Sequence, residues 1–479
     1  MKKERKEQDW PNILAHYNQT NAWMESLILD PEGLRYLTQK TPLKVRQEHE
    51  ARIERTRSFL HHLGNPQEHY RAIHVTGTSG KGSVATMTAN LLGEVNPSVG
   101  LHVSPYVQVP NEKLIVDGRM LTPTEYIEQV DAFRSFYDAY QAKPEDRPKY
   151  AEIWTCLTHL VFANKKVDWG VIEAGMGGRF DASNIINSSV SVITNVDFDH
   201  VPELGPSLTD IAWHKAGIIK PGRPVVTGVT QPELLNIVEQ EAIANSSRVY
   251  IIGRDFGARG VKVLDEGTVA SLFTPFGEYR EVAIGLKGNF QAENAAVALI
   301  AAQLVLDSEG KHLHQDQIRH ALKSVNMPGR FETMQQIPLT VIDGAHNPAK
   351  IASLATLLRE SFADRKITLI IGMLKNKDVQ QSLSALVPNV HKIIATEPHV
   401  IGKPSMNAEE MAEIVKNVNS KIEVMTYPDV NEAIEAGLLL NKNNKKGMIV
   451  ITGSIYMLGE AREYWYPREQ LLYKLEYSQ

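Results

Sequence analysis

The chain has 479 residues, 43% hydrophobic and 22% charged, which is enough length for two or three domains of about 150 residues and too much apolar content for disorder. A formal net charge of -5 offers no global attraction to a phosphate backbone or an anionic bilayer, so nucleic acid and membrane are excluded as expected partners and small molecules are favoured. No run reaches the ~18 apolar residues of a membrane span, and the charged N-terminus, Met1 to Trp10, lacks the apolar segment of a secretory signal, so a cytoplasmic enzyme is expected.

Residues 1 to 70 read as mostly helical, interrupted at Pro31 and Pro42 and stopped by Gly64 and Pro66. A short β-type run from Ala72 to Thr76, a glycine-rich turn and a helical run from Val84 to Leu92 then give strand, loop and helix. The one cysteine, Cys156, sits among apolar residues at helical spacing, which predicts a buried structural thiol and no internal disulfide. Further strands are predicted at Trp169–Ile172, Val190–Ile193 and Pro224–Thr227, with room for helices between them, so the expected architecture is α/β with a mostly parallel sheet. After Pro328-Gly-Arg330 the alternation resumes, with strands predicted at Leu339–Ile342, Ile367–Ile371, Lys392–Ala395, Ile422–Met425 and Gly447–Thr452. This predicts a boundary near residue 325, with a larger α/β domain at 1–325 that includes the helical N-terminal segment and a smaller Rossmann-like α/β domain at 326–479. The run Lys442-Asn-Asn-Lys-Lys446 reads as a solvated loop before a buried strand.

The chemistry starts at His74-Val-Thr-Gly-Thr-Ser-Gly-Lys-Gly-Ser83. Glycines between a strand and a helix let successive backbone N–H groups turn toward a phosphate, the helix N-terminus adds about half a positive charge, and Lys81 adds a full one. Gly77, Thr78, Ser79, Gly80, Lys81, Gly82 and Ser83 are therefore the candidate ATP-phosphate loop. The general G-x-x-x-x-G-K-[ST] pattern is not met, because Val75 takes its first glycine position and Gly82 follows the lysine.

The variant G-T-x-G-K-G-S resembles the ATP loop of the Mur ligase superfamily, and in particular its folylpolyglutamate synthase and dihydrofolate synthase branch. Ser104-Pro-Tyr106 with Asn111-Glu-Lys-Leu114 resembles the family's S-P-H-L and R-E-R-I loop, and Glu173-Ala-Gly-Met-Gly-Gly-Arg-Phe-Asp-Ala-Ser-Asn184 resembles E-V-G-L-G-G-R-L-D-A-T-N. Asp199-His200, Lys215-Ala-Gly-Ile-Ile-Lys-Pro-Gly222, Gly288-Asn-Phe-Gln-Ala-Glu-Asn294, Pro328-Gly-Arg330, Asp343-Gly-Ala-His-Asn-Pro348 and Thr452-Gly-Ser454 follow in family order, so the resemblance spans roughly residues 30–465. Departures are Ser79 for a usual asparagine, Val103 for threonine, Asp197 for glycine, no arginine after Pro404, and Asn111 for the first arginine of R-E-R-I, which removes a cation expected near an anionic substrate.

The resemblance implies an ATP-dependent carboxylate–amine ligase that adds L-glutamate to a folate or dihydropteroate carboxylate through an acyl phosphate. It implies magnesium held by Ser104 and Glu173, with His200 on a second divalent ion, although by residue chemistry His200 also suits a core or capping role and Glu173 a structural one. Lys215 resembles a lysine that carbon dioxide converts to a metal-binding carbamate, against the plain reading of a surface helix lysine. By the same analogy Asn294 contacts the base, Arg330 reaches the phosphates from the domain hinge, and Asp343 and His346 place the ribose and the γ-phosphoryl or incoming amine. Ser454 fits either the incoming glutamate or a helix cap. The family also implies a monomer. The competing readings are a Mur-type amide ligase with a non-folate substrate and a P-loop phosphotransferase, from which amine-dependent ADP release distinguishes the ligase.

Overall fold

The computed structural model describes residues 2–33, 41–96 and 98–478, with the backbone alone for 2–8 and 42; residues 34–40 of the predicted helical region lie outside it. The chain begins with α1 (Lys2–Ser26) and α2 (Pro42–His62). Thr41 caps α2 by accepting from the Lys44 amide at 3.4 Å, and Pro42 occupies the first position, where no helical N–H is missed. There follow β1 (Arg71–Thr76), α3 (Lys81–Gly93), β2 (Val99–His102), β3 (Ile115–Val116), β4 (Arg119–Met120), α4 (Pro123–Ala139), α5 (Tyr150–Asn164) and β5 (Trp169–Glu173). Next come β6 (Val190–Ile193), α6 (Val201–Leu204), α7 (Leu208–Ala216), β7 (Val225–Thr227), α8 (Pro232–Ala244) and β8 (Val249–Ile251).

These strands form one sheet in the order β4-β3-β2-β5-β1-β6-β7-β8, parallel from β2 to β8 and antiparallel at the β3 and β4 edge. Residues Ala72–Thr76 and all of β5 are buried, as continuous apolar strands in a two-sided sheet must be. α3 packs on one face with α9 (Phe290–Asp307) and α10 (Gln315–Lys323), while α2, α4 and α5 cover the other, where Cys156 is buried in α5.

A three-stranded antiparallel sheet, β9 (Gly257–Leu264), β10 (Gly267–Thr274) and β11 (Gly277–Ile284), precedes α9 and was not anticipated. Its outer strands are largely polar and it rests on α9 through Ala270, Leu272, Val282 and Ile284. Beyond Arg330 lie β12 (Glu332–Gln336), β13 (Leu339–Ile342), α11 (Pro348–Ser361), β14 (Lys366–Ile371), α12 (Val379–Leu386), β15 (Lys392–Ala395), α13 (Ala408–Val418), β16 (Glu423–Thr426), α14 (Val430–Asn441), β17 (Gly447–Thr452) and α15 (Ile455–Glu463). The sheet order is β12-β13-β17-β14-β15-β16, parallel except for β12, with α11 to α13 on one face and α14 and α15 on the other.

The last helix, α16 (Arg468–Tyr477), leaves this second sheet and packs on α1 and α4, with Leu472 fully buried and Glu476 accepting from the Thr124 amide and hydroxyl at 2.9 and 2.7 Å. Apart from α9, α7 and the Arg330 segment that leads into β12, every predicted site segment emerges from the carboxyl end of a strand, where open α/β sheets place their ligands.

Candidate active site

The phosphate loop is held in shape before any ligand arrives. Gly77 has φ 153, and a Cβ there would sit 1.8 Å from Thr194 Oγ1; Gly80 has φ 79, and a Cβ there would sit 2.5 Å from Asn294 Oδ1. Asn195, just past β6, accepts from the Thr78 and Ser79 amides at 3.1 and 2.8 Å, and Thr194 Oγ1 donates to the Ser79 carbonyl at 2.6 Å. The first helical hydrogen bond of α3 runs from the Val84 amide to the Gly80 carbonyl at 2.9 Å, so the Lys81, Gly82 and Ser83 amides precede it and point out of the helix end. Lys81 folds back, its Nζ donating to the Gly77 carbonyl at 3.1 Å. Neither Asn195 nor Thr194 was singled out from the sequence, since no local pattern links them to a loop more than a hundred residues away.

Glu173 ends β5 beneath this loop. Burial raises its pKa, the Lys81 charge opposes that, and its Oε2 accepts from the Ser104 amide at 2.9 Å. A Cβ on Gly82 would lie 3.4 Å from Glu173 Oε2 and 3.3 Å from Met327 Cε, so a side chain after the lysine would press on the Glu173 carboxylate. Glu173 is held against the Ser104 backbone, and a carboxylate with a neighbouring serine hydroxyl is the kind of hard-oxygen set that suits magnesium, with phosphate and water completing its shell. Among the described residues no group of three or more His, Cys, Asp or Glu side chains is placed to hold a metal ion; the remaining candidate ligand is His200. It begins α6 with φ 53, its side chain makes no capping bond, and its Nε2 is 3.9 Å from Asp199 Oδ1.

A second group crosses between the two sheets. Asp199 Oδ1 accepts from Lys377 Nζ at 2.8 Å and Oδ2 from Asn347 Nδ2 at 3.0 Å; these side chains are almost wholly buried, and the neighbouring cations outweigh burial to hold the Asp199 carboxyl far below the usual range. His346 Nδ1 donates to the Gly344 carbonyl at 2.8 Å, which leaves Nε2 as an acceptor facing Lys350 Nζ at 3.2 Å. Burial and that ammonium push the His346 pKa well down, and burial with Lys81 brings Lys350 to about 7. Lys215, in the last turn of α7, is 2% exposed, which contradicts the surface-lysine reading; burial and the Lys81 charge push its pKa well below normal.

Arg330 lies against Gly344, and Asp343 accepts from the Phe331 and Ala345 amides at 2.9 Å each, which forms an Asp-stabilised turn while its carboxylate still faces the arginine. Asn294 donates to Gln291 Oε1 at 2.9 Å and roofs Gly80. At the start of its helix, a cavity of about 300 Å³ opens between Asn289, which precedes α9, Phe290 of α9, and Ala352, Ser353, Thr356 and Leu357 of α11, a size and lining suited to a nucleoside. Ser454 occupies the cap position of α15, yet its buried Oγ makes no capping bond and has no partner among the described residues.

The loop after β2 is knitted by Glu112, which accepts from the Val107, Gln108 and Val109 amides at 2.7, 2.8 and 3.0 Å. Asn111 is fully buried, its Oδ1 accepting from Tyr17 Oη and its Nδ2 donating to the Leu121 carbonyl at 2.8 Å. Asn111 thus packs this loop against α1 through Tyr17.

The family description Mur ligase middle domain matches residues 75–302, and Mur ligase, glutamate ligase domain matches residues 329–455. The dihydrofolate synthase/folylpolyglutamate synthase of Bacillus subtilis is 31% identical over 415 residues, covering 86% of this chain and 94% of that protein. The folylpolyglutamate synthase of Lacticaseibacillus casei is 34% identical over 410 residues, covering 85% and 92%. The structure of Mycobacterium tuberculosis folylpolyglutamate synthase complexed with ADP aligns with a TM-score of 0.80 at 30% identity, covering 88% of this chain and 98% of that one.

Proposed function

The chain belongs to the folylpolyglutamate synthase and dihydrofolate synthase branch of the Mur ligase superfamily, and on that premise we propose how its residues carry out ATP-dependent addition of L-glutamate to a folate or dihydropteroate carboxylate. It is an ATP-dependent amide ligase, and its substrates are small molecules. The observation that carries the reading is the meeting of two half-sites: Lys81 and Glu173 from the first sheet, and Asp343, His346, Lys350 and Lys377 from the second, tied by the bonds from Asn347 and Lys377 to Asp199.

The α3 amides and Lys81 hold the ATP phosphates, with Arg330 adding charge from the hinge side. Magnesium, when bound by Ser104 and Glu173, neutralises phosphate charge, and His200 is the ligand available to a second ion. The acceptor carboxylate attacks the γ-phosphorus, the bond from that phosphorus to the bridging oxygen breaks, and ADP leaves an acyl phosphate. The glutamate amine then attacks the acyl carbon and phosphate departs. Neutral His346 Nε2, turned outward by the Nδ1–H bond to Gly344, takes up the amine proton directly or through Lys350, whose pKa near 7 suits transfer. Asn294 and the cavity beside Phe290 take the base, Asp343 the ribose, and the unpartnered Ser454 hydroxyl the incoming glutamate. The neutral amine that burial favours at Lys215 is the form that combines with carbon dioxide, giving a carbamate anion among Lys81 and Lys350. The division at 325/326, with α16 returned to the first domain, a monomeric state and a cytoplasmic location complete the proposal. Among the described residues no helix is long and apolar enough to cross a membrane.

The test is product formation by purified protein with Mg-ATP, L-glutamate and either dihydropteroate or tetrahydrofolate. A glutamyl amide product with either acceptor supports the reading, and ATP turnover that ignores glutamate contradicts it. Carbamylation is read by ¹³C NMR with labelled bicarbonate, where the carbamate signal disappears in Lys215→Arg.

A further inference from the structure

The loop after β2 is held by both domains. It leaves β2 at His102, passes Ser104 and is fastened to the first domain at Asn111, which donates to the Leu121 carbonyl at 2.8 Å. Between those ends its middle sits in the second domain. Val107 is buried in the second domain's core with Ile342, Ile455 and Leu458. α15 lies so close that a Cβ on Gly459 would be 2.1 Å from the Val107 carbonyl oxygen. Gln108, also buried, extends the attachment: its Oε1 accepts from Arg462 Nη1 at 2.6 Å and its Nε2 donates to the Tyr466 carbonyl at 2.6 Å.

Arg462, in the last turn of α15, is itself fixed. Its Nε donates to the two Glu332 carboxylate oxygens at 3.0 and 3.2 Å, and its guanidinium lies 4.9 Å from the Tyr466 ring centroid. Glu332 also accepts from the Gly329 amide at 2.8 Å, beside Arg330 at the hinge. A guanidinium with its partners in place and little water around it holds them in one geometry. The bonds from Glu112 act differently. Their donors all lie within residues 107–109, so they set the shape of the loop and not its position against Glu173. Val107 and Gln108 tie it to an outside body. Ser104 is three residues from Val107, at most about 10 Å of chain, so a displacement of the second domain reaches Ser104 and its 2.9 Å bond from the backbone amide to Glu173 Oε2.

We propose that Gln108 and Arg462 are positioning residues for Ser104: bonded to one another across the domain junction, they keep the Ser104 segment against Glu173, so that the magnesium-binding pair is complete only while the second domain is seated. The proposal rests on the reading of Ser104 and Glu173 as magnesium donors. Because Arg462 also reaches the hinge through Glu332, one helix of the second domain sets both the metal pair and the segment that carries Arg330.

The test is Mn²⁺ binding to the full-length protein with ADP, followed by electron paramagnetic resonance, in wild type, Gln108→Met, Ser104→Ala and the double variant. Gln108→Met keeps the length of the side chain and removes both of its hydrogen bonds. The expected result is Mn²⁺ binding weakened about 5-fold or more in Gln108→Met, and a double variant that binds no more weakly than Ser104→Ala, because the effect of Gln108 passes through the serine. Mn²⁺ affinity in folded Gln108→Met within about twofold of wild type, or losses that add in the double variant, overturns the positioning role. If Gln108→Met does not fold, Arg462→Lys makes the same comparison, since a lysine keeps the charge beside Glu332 but lacks the planar set of donors that reaches Gln108 as well. Ser104→Ala that binds Mn²⁺ as the wild type does overturns the magnesium reading itself, and the positioning role with it.

Discussion

At the scale of single residues, the phosphate loop depends on side chains that never touch phosphate. Asn195 holds the Thr78 and Ser79 amides, and Thr194 occupies the space that a Cβ on Gly77 would fill. Asn195→Ala therefore frees two loop amides while leaving Lys81 in place, and the expected result is weaker ATP binding by about 10-fold, measured by titration calorimetry, with Tm little changed. Gly82→Ala brings a methyl to within 3.4 Å of Glu173 Oε2, so it is expected to lower turnover more than it weakens nucleotide affinity. The glycine loop itself was legible because its chemistry is written in consecutive residues. Asn195, Lys350 and Lys377 were not, because each is an ordinary polar residue until the chain folds, and Lys377 meets Asp199 across 178 positions. Asn111 was legible as a departure from a pattern but not as a packing residue, since its partner Tyr17 lies 94 positions away.

At the scale of elements, the buried parallel strands were read closely, because a strand covered on both faces is a continuous apolar run; Val190–Ile193, Leu339–Ile342, Lys392–Ala395 and Gly447–Thr452 agree residue for residue. β2 carries a glycine and a histidine in its four residues, β8 has only three, and β9 to β11 have mostly polar outer strands with bulges, so none stood out by composition. The start of α4 gives a pH prediction. Glu125 accepts from Arg119, Lys165 and the Thr122 amide, and these partners hold its pKa at about 2 against 4.5 unperturbed. A depressed carboxylate pKa contributes stability that is full above about 4.5 and is lost as pH falls toward 2. Because Arg119 is partly exposed the contribution is discounted to about 1 kcal/mol, and Glu125→Gln is expected to lower Tm at pH 7 but not at pH 2. α16 gives a second: Leu472→Ala empties a fully buried position between α1 and α4 and is expected to cost about 3 kcal/mol in thermal unfolding.

At the scale of the whole molecule, two α/β units share one site through a small number of buried polar bonds. The Asp199 carboxylate is the centre of that junction, with Lys377 and Asn347 as its partners from the second domain. Removing one member of a buried ion pair leaves the other uncompensated, so Asp199→Ala is expected to weaken domain docking by about 3 kcal/mol. Hydrogen exchange should then quicken at residues 343–350 and 373–378 while β1 and β5 stay protected. An acyl phosphate survives only where water is kept out, so the same variant is expected to hydrolyse ATP without forming amide in proportion. The most direct measurement of the central claim is the ratio of ADP released to glutamyl amide formed by the wild-type enzyme, with dihydropteroate, with tetrahydrofolate and with no acceptor, and with Lys81→Ala as the control. The account predicts equal amounts of ADP and amide with at least one acceptor and background release in the other two controls. ADP released without amide, or independent of L-glutamate, would contradict it.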